Sequence, residues 1–294
     1  MFIKRLPRFE YHVSTSLSDA LRLLAEYGEN ARVFAGGTDL LVSMKKRETL
    51  PKHLINLKGI ADLKGIYDDE EKGIRIGALT TLEEIEHSRM IREKFGALWD
   101  AVSVMASPQV RSLGTIGGNL CSAVPSADTA PPLIALGASV KMVGGHGERS
   151  VAVENFFKGP KESILQKNEI LTQVLIPKPL EKSSGAYLKL MRSNATDLAL
   201  VGVAAYLRLD PKKRVCSEAR IALGAVAPTP IRAMEAEKVL INKKIGEELA
   251  EEAGSAASTV CHPISDIRSS LEYRCSMVEV LTKRAVMETF RRIA

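Results

Sequence analysis

Two glycine pairs, Ala35-Gly36-Gly37-Thr38-Asp39 and Thr115-Ile116-Gly117-Gly118-Asn119, constrain the fold of this chain more than any other feature. Consecutive glycines remove the Cβ atoms that restrict backbone angles and hold ligands off the main chain. Their N–H groups can then converge into an anion-binding concavity. Ahead of the first pair, Arg32-Val33-Phe34-Ala35 reads as a buried strand. Behind it, Thr38 or Asp39 caps a helix over Leu40-Leu41-Val42, and Lys45, Lys46 and Arg47 suit the negative end of its dipole. A strand that turns through glycines into a helix presents donors to a phosphate. The second pair follows Gly114, and nine residues past Asn119 stands Asp128, isolated among small residues before Pro131-Pro132. A buried carboxylate needs hydrogen-bond donors. Ribose or ribityl hydroxyls would supply them, and a capping role for a helix around Leu133–Leu136 is compatible with that. The nicotinamide fingerprint G-x-G-x-x-G and the P-loop lysine motif are both missing.

The rest of the chain reads as two kinds of structure. Glu10-Tyr11-His12-Val13 is extended, Ser16 opens a helix that Gly28 ends, and Leu54-Ile55-Asn56-Leu57 is another strand. Ile74–Ala78 alternates like a half-buried strand, and Thr81-Leu82-Glu83-Glu84 is a capping box. Phe95–Met105 reads as an apolar helix stopped at Ser107-Pro108. Ser139–Val143 and Glu169–Ile176 are strands, and Pro177-Lys178-Pro179 is a plausible linker. Beyond it, Ala186–Leu190, Ala199–Leu209 and Ala219–Val226 predict a three-stranded antiparallel sheet. Helices over Ala233–Leu240, Ile245–Val260 and Met277–Arg292 follow. Strands followed by helices make this an α+β unit, which gives domains over 1–177 and 178–294.

Composition excludes several classes. The chain has 294 residues and a net charge of +6, but its basic residues are mixed with acids. Aromatic residues make up only 5%, so the interleaved basic and stacking residues of a nucleic-acid binder are missing. No apolar run reaches the roughly 18 residues of a membrane span. The segment Met1–Pro7 lacks the apolar core of a secretory signal, so a cytoplasmic location is expected. Cys121, Cys216, Cys261 and Cys275 are too far apart for zinc-finger or iron–sulfur spacing. The five histidines, His12, His53, His87, His146 and His262, show no metal-ligand spacing either, so no metal site is expected.

Longer segments now identify a resemblance. Ala-Gly-Gly-Thr-Asp-Leu, Ala-Ser-Pro-Gln-Val-Arg-Ser-Leu-Gly-Thr-Ile-Gly-Gly-Asn-Leu-Cys and Pro-Ser-Ala-Asp-Thr-Ala-Pro-Pro-Leu resemble the FAD subunits of molybdenum hydroxylases, the xanthine and carbon monoxide dehydrogenase type. Tyr187-Leu188-Lys189, Asp197–Ala204, Gly224–Arg232, Asp266-Ile267-Arg268 and Glu272-Tyr273-Arg274 extend it over nearly the whole chain. The resemblance implies a two-lobed FAD-binding domain of the vanillyl-alcohol-oxidase (PCMH) type, with lobes of about 1–57 and 58–177, and a C-terminal α+β domain. It implies that Val33, Phe34, Ala35–Asp39 and Gly114–Asn119 wrap the FAD diphosphate and that Asp128 binds sugar. Met105, Ala106, Cys121 and Ile170 or Leu171 would lie against the flavin, with Lys189 and Asp197 near its ring. It further implies a large molybdopterin-binding partner, a small [2Fe–2S] partner, and NAD or a quinone as electron acceptor. A stand-alone flavin reductase or oxidase of the same fold is the alternative reading.

Overall fold

The computed structural model describes residues 5–69, 71–193, 196–212 and 215–293, so Met1–Lys4 of the N-terminal segment lie outside it. Its first unit is built from β1 (Glu10–Val13), α1 (Leu17–Tyr27), β2 (Ala31–Phe34), α2 (Leu40–Lys46) and β3 (His53–Asn56). The strands lie in the order β1-β3-β2 and both pairings are parallel. Local chemistry sets the ends of α1. The Ser16 hydroxyl accepts the Asp19 N–H at 3.2 Å, and Gly28 closes the helix at φ 48°.

A second unit holds β4 (Ile66–Asp69), β5 (Gly73–Gly77), α3 (Leu82–His87), α4 (Arg89–Lys94), α5 (Gly96–Ser103), α6 (Pro108–Arg111), α7 (Ile116–Ser122) and α8 (Ala130–Ala135). It continues with β6 (Ser139–Gly144), β7 (Gly147–Ala152), the short hairpin β8 (Phe157–Gly159) and β9 (Glu162–Ser163), and β10 (Glu169–Pro177). Its five-stranded antiparallel sheet runs β4-β5-β10-β6-β7. The capping box at Thr81 forms in full, with Glu84 accepting the Thr81 N–H at 2.7 Å. The expected Phe95–Met105 helix is shorter, Gly96–Ser103, and Pro108 opens α6 as its first residue, where its missing N–H costs nothing.

Strand β10 joins the two units. Successive side chains of a strand face opposite ways. Ile170 therefore packs with Ala20, Leu23, Ile55 and Leu57, while Leu171 packs into the larger core with Ile76, Leu98 and Met142. Each such burial contributes about 1.5–3 kcal/mol.

The C-terminal unit contains β11 (Ser183–Leu190), β12 (Val201–Leu209), β13 (Cys216–Gly224), β14 (Ile231–Arg232), α9 (Met234–Leu240), α10 (Glu247–Ser258) and α11 (Leu271–Ile293). Its sheet is four-stranded, β11-β12-β13-β14, and not three-stranded as expected. β14 has only two residues, too few for a period-2 pattern, and it follows Pro228 and Pro230. α11 starts six residues before the expected Met277. The sheet is covered on both faces. Val201, Val203, Ala205 and Leu207 of β12 face α10 and α11, whereas Ala204 and Tyr206 join the core of the preceding unit. Burial on both sides explains why β12 reads as an apolar run from Val201 to Leu207. No helix among the described residues is long and apolar enough to cross a membrane.

Candidate functional site

The two glycine loops meet. A Cβ on Gly36 would lie 2.1 Å from the Leu113 carbonyl oxygen, so only glycine lets the first loop rest on the backbone that leads into the second. Gly37 turns with φ 76° over the Phe34 ring. Phe34 is buried at the end of β2, and Val33 packs toward α1. Among the described residues, no carbonyl takes the N–H of Gly36, Gly37, Thr38 or Asp39 in a backbone hydrogen bond. These four neighbouring N–H groups are donors awaiting an acceptor, and Ala35–Thr38 are half-buried while Asp39 is exposed. Buried main-chain donors are paired in the great majority of native structures. The first loop thus has the donor set of an anion cradle.

The second loop differs from expectation in its chemistry. Ile116–Asn119 is the first turn of α7, and its N–H groups are already taken. Ile116 donates to the Thr80 carbonyl at 3.1 Å, Gly117 to Ala78 at 3.0 Å and Asn119 to Thr115 at 2.9 Å. Gly118 donates to the capping Thr115 hydroxyl at 3.1 Å. Gly117 faces protein, because a Cβ there would come 2.7 Å from Ala78. The cradle is therefore asymmetric. The first loop supplies open donors, and the second supplies a close, small-residue wall with Gly114 packed at its entry. The Asn119 side-chain oxygen accepts the Thr129 hydroxyl at 2.5 Å, which leaves its amide N–H groups for other partners. Cys121 is half-buried on α7, and desolvation pushes its thiol up to about 12, so it stays protonated and apolar.

Met105 is buried, and Ala106 follows it in the left-handed region at φ 48°. That conformation costs a non-glycine residue about 1–2 kcal/mol. Arg111 holds the corner. It donates to the Met105 carbonyl at 2.8 Å and forms a two-pronged pair with Glu86 at 2.8 and 3.0 Å. Sequence reading passed over Arg111 as a site residue, although it lies within the segment that carried the resemblance.

Asp128 is buried, but its donors come from protein. Tyr187 Oη donates to one carboxylate oxygen and Lys189 Nζ to the other, both at 2.8 Å. Tyr187 and Lys189 are two apart on β11 and so share a face. Burial pushes the Asp128 carboxyl above its usual range, with Lys189 and Tyr187 opposing that shift, and it pushes the Tyr187 phenol well up. Lys189 also reaches the Val104 carbonyl at 3.3 Å, next to the Met105 corner. Two further ties join the same units: Asp100 accepts the Tyr187 N–H at 3.0 Å and Arg292 at 2.8 Å.

Leu171 shares its core with Met105 and Tyr187, and Ile170 lies in the core of the first unit. Ile170 and Leu171 are each buried in a protein core, on opposite faces of β10. Asp197 accepts the Ser193 N–H at 3.0 Å and its hydroxyl at 2.9 Å. The C-terminal motifs have a buttressing role. Arg274, 1% exposed, donates to the Leu200 carbonyl at 3.0 Å and pairs with Asp266 at 3.0 Å, while Arg268 holds the other Asp266 oxygen. Histidines scattered in sequence also come together, since His12 and His53 lie within hydrogen-bond reach.

Comparison with known proteins agrees with this architecture. Residues 7–179 match the family described as FAD binding domain in molybdopterin dehydrogenase. Residues 186–289 match the CO dehydrogenase flavoprotein C-terminal domain. The chain is 34% identical over 288 residues to the carbon monoxide dehydrogenase medium chain of Hydrogenophaga pseudoflava, covering 98% of this chain and 99% of that one. It is 33% identical to the xanthine dehydrogenase FAD-binding subunit of Escherichia coli O157:H7, over 95% and 94% of the two chains. The solved carbon monoxide dehydrogenase of H. pseudoflava superposes with a TM-score of 0.94 at 35% identity, covering 99% of this chain and 100% of that one. The chain belongs to the FAD-binding medium subunits of the molybdenum hydroxylase family. It is an oxidoreductase subunit, and its cofactor is FAD.

Proposed function

We propose that this chain is the electron-relay subunit of a molybdenum hydroxylase complex. With FAD bound, it takes electrons from [2Fe–2S] clusters on a small partner chain and delivers them to NAD or another acceptor. Substrate is oxidised on a large partner that carries molybdopterin. The flavin supplies the redox chemistry, and the protein positions it and sets its electrostatic surroundings.

The observation that carries this reading is the open cradle at Gly36–Asp39, pressed by Gly36 against the backbone entering the second loop. Four unclaimed N–H groups suit a diphosphate. We assign Ala35–Asp39 and Gly114–Asn119 to that group. Met105 and Ala106 are assigned to the ring's surroundings, and Asp128 to a sugar hydroxyl through acceptor capacity left beside Tyr187 and Lys189. Near-complete coverage of relatives named as medium chains or FAD-binding subunits supports the subunit role.

The test is purification of the chain alone and with whatever chains copurify. The expected result is FAD absorbance in both and substrate oxidation only in the assembly. Turnover of a purine or aldehyde by a verified single-chain preparation would favour the stand-alone alternative. A folded chain without flavin would overturn the cofactor assignment.

A further inference from the structure

The relay role leaves one cluster of the first unit unused. Glu10 and His12 are two residues apart on β1, so both side chains leave the same face. The parallel neighbour β3 sets His53 opposite Glu10. His12 Nε2 lies 3.1 Å from His53 Nδ1. A Glu10 carboxylate oxygen lies 3.5 Å from His53 Nδ1 and 3.8 Å from His12 Nε2. Tyr27 of α1 stacks on the His53 ring, 3.8 Å between centroids and 6° from parallel, which limits its rotation.

The geometry points to a binding site for one divalent transition-metal ion of the zinc type, held by His12, His53 and Glu10. The three donor separations define a triangle whose centre is about 2.0 Å from every corner, and an ion about 0.6 Å above its plane would be about 2.1 Å from all three donors. Those are zinc–nitrogen and zinc–oxygen bond lengths. Two imidazoles and one carboxylate suit zinc, copper or nickel, whereas calcium and magnesium require oxygen ligands.

Loading the site moves one proton. The two facing nitrogens now share a hydrogen bond, so one of them carries the proton. For both to ligate, that ring shifts its proton to its other nitrogen and stays neutral. Glu10, whose side chain is 71% exposed, offsets one of the ion's two positive charges. The fourth coordination position would be taken by water or by a side chain from another protein. The ion would fasten β1 to β3, in a sheet whose strands have four residues each. Its role on this reading is to stiffen the unit that carries the first glycine loop.

The experiment uses the full-length chain, stripped with a chelator and titrated with Zn²⁺ and separately with Co²⁺. One Zn²⁺ should bind per chain and raise Tm, and Co²⁺ should develop the intense visible absorption of a four-coordinate centre. His12→Gln combined with His53→Gln should abolish stoichiometric uptake, with flavin absorbance and circular dichroism checking that the variant folds. Glu10→Gln, at an exposed position, should weaken zinc binding at least tenfold. Equal zinc uptake by wild type and the double-histidine variant, or uptake by neither, overturns the proposal. Unchanged affinity in Glu10→Gln removes the carboxylate from the site.

Discussion

Asp128 and Lys189 form an ion pair of 2.8 Å whose side chains are 5% and 2% exposed, and it bridges the unit holding the glycine loops to the C-terminal sheet. A buried pair of this kind adds little by existing, because desolvation cancels much of the attraction, but removing one partner strands the other charge. Lys189→Met should therefore destabilise the chain by about 3–5 kcal/mol. Asp128→Asn combined with Lys189→Met should lose clearly less than that single change. Denaturant unfolding of the flavin-free chain measures both, and a double variant as unstable as Lys189→Met would contradict this account of the pair.

The glycine contacts set a second expectation. Gly36→Ala would drive a Cβ against the Leu113 carbonyl, a backbone group that cannot rotate away, and so would part the two loops. FAD content should fall at least tenfold in purified protein with normal circular dichroism. Gly117→Val should lose flavin for a different reason, because the new side chain would push α7 off Ala78. Full flavin absorbance in either folded variant would remove the cradle from cofactor binding.

Arg111 shapes the corner at Met105 and Ala106. Hydrogen bonds to charged groups contribute about 1.5–3 kcal/mol each, and Arg111→Met removes its pair with Glu86 together with the bond to the Met105 carbonyl. The expected readouts are a lower Tm and an altered flavin absorption envelope in whatever holoprotein remains. Arg111→Lys should recover stability only in part, since an ammonium cannot form the two-pronged pair with Glu86. Rescue to wild-type values by lysine would show that charge alone matters there.

Acid should act on the C-terminal unit through Asp266. The Arg268 side chain, then its backbone N–H, and Arg274 hold this carboxyl well below the usual aspartate range. A depressed folded value means that the associated stability is complete above the unfolded value, about pH 4, and is lost as pH falls from there toward the folded value. Tm plotted from pH 6 to pH 2 should drop less steeply in Asp266→Asn, which starts from a lower Tm at neutral pH. Parallel curves for the two proteins would contradict the linkage.

What the sequence disclosed follows from the range of each interaction. The caps at Ser16 and Thr81 were legible because their partners are three residues away. The turn through Gly36 and Gly37 was legible for the same reason. Asp128 was recognisable as a carboxylate that needs donors, but Tyr187 and Lys189 lie 59 and 61 residues further on, and only the packing of β11 brings them there. The second glycine pair looked like a twin of the first. The Gly117 N–H is claimed by Ala78, which no local pattern reveals, and the Gly118 N–H by the Thr115 hydroxyl. His12 and His53 meet only because β1 and β3 pair in parallel, so their separation in sequence hid their contact.

The placement of Ile170 and Leu171 on opposite faces of β10 has a mechanical consequence. A strand whose alternate side chains are rooted in different cores couples the packing of one to the packing of the other. The first glycine loop rests on one of these cores and the second on the other, so a change at either residue of β10 reaches the packing beneath a glycine loop.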